Sequence, residues 1–283
     1  MEVEVQLSEA QQSRISGYEH EAAAHLIQEL VKFCLYDQGL TPSIYDTLKA
    51  TCQQSGSTQN LGTTRRKISD RRTYKFVAGV EKMFDAITAT SIAALDSKAA
   101  VLLIGPSLLR PSIIYQFDFR VLNQLRQPDA IESTSQSGTI QVNSSSICEQ
   151  PEPADSQREQ FSVSLLREDE NFDAVQKPIE IIAKKVVRAL VMNASRMNFG
   201  GNIQGTKKMH VLLLGACVAE APRGLLPKRN VPLDHKKAQV VKVVLVGSKI
   251  DQMVSDLLSN GGGQQTWYQC GDSVKGLRSD GTQ

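Results

Sequence analysis

The stretch Ala99-Ala100-Val101-Leu102-Leu103-Ile104-Gly105-Pro106, followed by Ile113-Ile114-Tyr115-Gln116-Phe117-Asp118-Phe119, decides the fold class. Its first part is a short apolar run stopped by Gly-Pro, which reads as a buried strand. In the second part Ile113, Tyr115, Phe117 and Phe119 fall on one face and Gln116 and Asp118 on the other, the alternation of a half-buried strand. Upstream lie helical patterns. Ala23, Leu26, Ile27, Leu30, Val31, Cys34 and Leu35 repeat at helical spacing, predicting a helix from about Glu19 to Asp37. A short helix carries Ile44, Tyr45 and Leu48, and a long one runs from about Ser69 to Ser91. Downstream, Pro178 opens a third long helix reaching about Met197, apolar over a wide arc. Met209 to Leu214 and Val240 to Val246 read as strands.

Strands and helices do not alternate regularly along this order. The expected class is therefore α+β, with helices packed on one face of a mainly antiparallel sheet. Residues 127–160 are rich in Ser, Gln, Asn and Pro and predict a disordered insertion. The first 15 residues are expected to be flexible, leaving residues 16–283 as a single interrupted domain.

Composition bounds the function. Among 283 residues, 41% are hydrophobic and 22% charged, with a net charge of +2, which argues for a globular chain and against a basic nucleic-acid coat. No apolar run approaches the ~20 residues of a membrane-spanning helix. The sequence opens on the acidic Met1-Glu2-Val3-Glu4-Val5, without the apolar core of a secretion signal. Five cysteines without CxxC spacing predict reduced thiols in a cytosolic or nuclear protein.

Catalytic signatures are missing. His20, His25, His210 and His235 form no zinc-ligand pattern with the cysteines. Gly200 to Lys207 reads Gly-Gly-Asn-Ile-Gln-Gly-Thr-Lys, with Lys and Thr transposed relative to a phosphate-binding loop. Leu245-Val246-Gly247-Ser248-Lys249-Ile250-Asp251 has Ser248 where a guanine-reading motif needs Asn. There is no Gly-x-Ser-x-Gly elbow. Cys34 falls on an apolar helical stripe, so it is expected to be buried and inert. No catalytic residue, metal or cofactor is expected. A nucleotide-binding enzyme would need a phosphate loop that the chain lacks. Arg65-Arg66-Lys67 and Arg71-Arg72 read as a solvated loop and helix start, with a localisation signal or a phosphate contact as the alternatives.

Four ordered stretches carry a resemblance. They are Glu29 to Tyr36 with Pro42, Tyr45 and Leu48; Arg66 to Phe84 with Val101 to Gly105 and Tyr115 to Asp118; Arg188 to Met192; and Pro227 to Asn230, the strand from Val240, Trp267-Tyr268-Gln269 and Lys275 to Arg278. Together they resemble the comet-type adaptors of the HORMA-domain superfamily. The resemblance implies a HORMA-like domain whose C-terminal safety belt closes over its own tail. Such adaptors are not enzymes. They bind the closed conformer of the mitotic-arrest-deficient checkpoint HORMA protein and present it to a hexameric pachytene-checkpoint AAA+ ATPase, which silences the spindle checkpoint. Meiotic chromosome-axis HORMA proteins are handled by the same machinery, and a different client of that kind is the alternative. The implied location is nucleus and cytoplasm, at kinetochore, spindle or meiotic chromosomes.

Carried onto this sequence, the client-binding residues are Asp37, Gln38, Val187 and Arg188. The ATPase-facing pair is Pro227-Lys228, and the belt-closing tail residues are Trp267 and Tyr268. The family pattern has Gln in place of Asp37 and an aromatic residue in place of Val187, so the contact surface departs from it at two positions.

Overall fold

A computed structural model describes residues 1–55, 64–119, 122, 165–194, 207–228, 231, 238–247 and 265–277. The segment 127–160, expected to be disordered, lies outside these residues. The helices are α1 (Glu9–Ile15), α2 (Glu19–Asp37), α3 (Tyr45–Ser55), α4 (Thr64–Ala86), α5 (Ala89–Ala94) and α6 (Leu165–Ala194). The strands are β1 (Glu2–Leu7), β2 (Ala99–Gly105), β3 (Ile113–Asp118), β4 (Lys208–Ala216), β5 (Leu225–Lys228), β6 (Gln239–Gly247), β7 (Gln265–Cys270) and β8 (Val274–Lys275).

The strands form one sheet in the order β1-β6-β3-β2-β4-β7-β5, with β8 beside β4. Strand β6 pairs parallel with both β1 and β3, and the remaining pairs are antiparallel. The sheet is thus mainly antiparallel and the fold α+β. One face carries Leu102, Ile104, Tyr115, Phe117, Val211, Leu213, Val241 and Val243, which share a buried cluster with apolar residues of all six helices. The opposite face holds a smaller cluster of Val101, Leu103, Ile114 and Leu212. Because Ile114 is buried there, β3 is covered on both faces rather than half-buried.

Four expectations change. The first fifteen residues are not a loose end: they form β1 and α1. Val3, Val5 and Leu7 alternate inward while Glu2, Glu4 and Gln6 face out, and β6 supplies the parallel ladder. Ser8 then starts α1 with a reciprocal capping box to Gln11. The long helix expected from Ser69 to Ser91 divides into α4 and α5, because the Thr88 side chain accepts the Ser91 amide and begins a new helix. Ile44, expected within the second helix, precedes α3 and is 59% exposed. Pro178, expected at a helix start, sits inside α6, which begins at Leu165.

The connection from β5 to β6 links one edge of the sheet to the strand next to the other edge. It spans five strand spacings, about 24 Å. Ten residues, 229–238, make the connection, and extended they can reach roughly 33–36 Å, enough for that span. Its described members, Val231 and Ala238, pack against the cluster on the face away from the helices.

Candidate interaction surfaces

The eight residues carried over from the resemblance fall into three places. The first is the sheet edge. Strand β7 lies between β4 and β5, and its register sets Lys228 opposite Trp267 and Pro227 opposite Tyr268. Two pairs read separately from the sequence are therefore direct neighbours. Pro227 is exposed on the edge strand, where a residue without an amide hydrogen is tolerated. Tyr268 is 1% exposed; its hydroxyl donates to the Ala216 carbonyl at 3.0 Å and accepts the Val218 amide at 3.1 Å. Trp267 points the other way and packs half-buried against Val101, Leu103, Ile114 and Leu212.

The second place is the end of α2. Asp37 is half-buried, whereas Gln38 is only 4% exposed. The Gln38 amide donates to Asp37 Oδ2 at 2.7 Å and to the Tyr115 hydroxyl at 3.1 Å. The Tyr115 hydroxyl in turn donates to Asp37 Oδ2 at 3.4 Å, which closes a small polar ring beneath β3. Burial, with Cys34 and Asp37 nearby, holds the Tyr115 phenol well above its usual range. Burial likewise raises the Cys34 thiol, as expected of an inert core cysteine. The Gln38 side chain thus belongs to the interior, and Asp37 is the member that reaches solvent.

The third place is α6. Ile179, Ile182, Ala183, Val186 and Leu190 form its buried stripe. On the opposite side Ile181, Val191 and Met192 are 51%, 55% and 72% exposed, and Lys177, Lys184, Lys185 and Arg188 accompany them. Spacings of three and four residues put Lys177, Ile181, Lys184, Arg188 and Met192 on one side of the helix. Val187 sits at the margin, half-buried. The wide apolar arc is therefore two faces, one packed and one open.

One residue escaped the sequence reading. His210 on β4 is 8% exposed, and neither ring nitrogen has a hydrogen-bond partner among the described residues. Burial, reinforced by Lys208 and Lys228, lowers its pKa to about 4. A single imidazole in an apolar strand gives no periodic or spacing signal.

Among the described residues, no three His, Cys, Asp or Glu side chains group as a metal site, and no helix is long and apolar enough to cross a membrane. Comparison of the whole sequence with models of known protein families, and with curated proteins, finds no match to either.

Proposed function

We propose that the chain is a non-catalytic adaptor of the HORMA type, which holds a closed checkpoint HORMA protein and presents it to a hexameric AAA+ ATPase. The observation that carries the reading is the position of β7. A segment remote in sequence occupies a slot between β4 and β5, and Trp267-Tyr268 pair with Pro227-Lys228. Self-capture of a tail by a belt requires such an inserted strand. The chain leading from β5 to β6 behaves as the belt, with Val231 and Ala238 lying over the face away from the helices. Exposed apolar groups on α6 beside Arg188 give the client an apolar and cationic surface. Pro227, exposed on the edge strand, gives the ATPase a separate contact.

Co-elution with a checkpoint HORMA protein locked closed, against the same protein locked open, tests this. The expected result is binding to the closed form alone, abolished by Val187→Asp without loss of the folded state. Binding to neither form removes this client from the proposal. Loss of folding in Val187→Asp would assign that residue to the core.

A further inference from the structure

The C-terminal described segment is attached to the sheet in two unequal parts. Strand β7 is held on both sides, by β4 and by β5. Strand β8 is two residues long and, among the described residues, pairs with β4 alone. Between the pairs Leu212↔Gln269 and Met209↔Val274, β4 has two residues, His210 and Val211, while the C-terminal segment has four, Cys270 to Ser273. The surplus makes a joint, with Gly271 in the left-handed region at φ +58°.

Two features of this joint oppose its closure. His210 lies opposite it: extending the β7 register places His210 against Gly271, and extending the β8 register places it against Ser273. Both ring nitrogens of His210 are buried without a hydrogen-bond partner among the described residues, a state that costs free energy and that water entering an opened joint would relieve. Lys208 and Lys275 are paired directly across β4 and β8, like charge against like charge, and neither joins an ion pair among the described residues.

The contacts favouring closure reach the end of α2. The Leu277 amide donates to the Leu40 carbonyl at 2.8 Å, and the Gly276 amide to the Lys207 carbonyl at 3.1 Å. Lys207 Nζ donates to the Gln38 carbonyl at 3.1 Å. Gly276 lies so close that an added Cβ would fall 2.7 Å from Leu40 Cδ2. Leu40 itself is 1% exposed. Val274 is buried against Gly79 of α4, and Asp272 pairs with Lys82 at 2.9 Å.

We infer that residues 271–277 are a releasable latch over the end of α2, opening at the His210 joint while β7 stays in the sheet. Opening frees the Leu40 carbonyl and uncovers the turn that follows Asp37 and Gln38. The latch follows from the geometry of this chain alone and stands whether or not the adaptor reading does.

Amide hydrogen exchange on the full chain tests it without any partner. The Gly276 and Leu277 amides are expected to exchange at least about tenfold faster than those of Tyr268 and Gln269. His210→Leu removes the stranded nitrogens and should slow the latch amides by about fivefold or more. Lys275→Glu, on an exposed side chain that leaves the core untouched, should slow them by about threefold. Equal exchange of the latch and β7 amides in the unmodified chain would overturn the inference. If His210→Leu fails to fold, Lys275→Glu decides: slowed latch exchange supports the latch, and unchanged or faster exchange overturns it. Co-elution failure would remove the proposed client yet leave these rates unaltered.

Discussion

The two faces of the sheet are built differently. The helix-side face is closed by regular elements, with residues from all six helices meeting Leu102, Phe117, Val211 and Val243. The other face has, among the described residues, a cluster of four buried apolar residues, covered by Leu108, Val231, Ala238, Val240 and Trp267 from strands and connections. Dense packing from many directions resists relaxation, so a void made there stays open. A cover made of connections can settle onto a void. Stability should therefore reside on the helix side, and adjustability on the other.

The comparison breaks or holds first on paired truncations. Phe117→Ala removes a ring that is 1% exposed beneath the helices and should cost about 3–5 kcal/mol. Leu103→Ala, fully buried on the other face, should cost about 2 kcal/mol, the low end for such a change. Chemical denaturation of both variants measures the difference. Equal losses beyond the intrinsic size of the two side chains would show that the thinner cover is as rigid as the helical one.

How much of this could be read from the sequence follows the same division. The helix from Glu19 to Asp37 matches α2 at both ends, because its apolar residues recur at one period throughout and its core contacts lie on that single stripe. The strands β2, β3, β4 and β6 were also legible from apolar runs. Strand β1 carried a clear alternation in Val3, Val5 and Leu7, yet it has meaning only once β6, more than two hundred residues away, is beside it. Pro178 was misplaced because a helix start is its favoured position, and only backbone geometry shows that α6 runs through it. Part of the cover of the second face, Leu108, Val231 and Ala238, comes from single residues in connections, which have no period. The site was less legible still. Gln38 looks like an exposed polar residue after a helix, and its inward turn depends on Tyr115 arriving from β3. Trp267 and Tyr268 came from resemblance; their pairing with Lys228 and Pro227 is tertiary.

Acid sharpens the comparison next. His210 faces away from the helices, with Lys208 on its own strand and Lys228 on β5 as the cationic groups that act on it, and Lys275 on β8 paired with Lys208. Its folded pKa of about 4 lies below the ordinary 6.5. Between those values the unfolded chain binds a proton that the folded one refuses. Stability is therefore full above pH 6.5 and falls as the pH drops toward 4, by about 2 kcal/mol between pH 7 and pH 5. Burial also lowers His25 on α2, against the opposing pull of Glu29, so part of the acid sensitivity belongs to the helix side. Denaturation at the two pH values should show a smaller loss in His210→Leu than in the parent. An identical loss would place the acid sensitivity elsewhere.

The finest comparison lies within β7, where neighbouring residues face opposite sides. Tyr268→Phe keeps the ring among the helix-side core residues but strips the Val218 amide and the Ala216 carbonyl of their shared partner. That should cost about 1–2 kcal/mol. Trp267→Phe trims a half-buried ring on the other face and, with a cover able to settle, should cost less than about 1 kcal/mol. Melting of the two variants gives the ranking. A larger loss from Trp267→Phe would mean that the strand is held chiefly through the cover of connections. The link from β5 to β6 would then be the main restraint on β7, and the difference between the two faces would concern what closes them rather than how firmly they are closed.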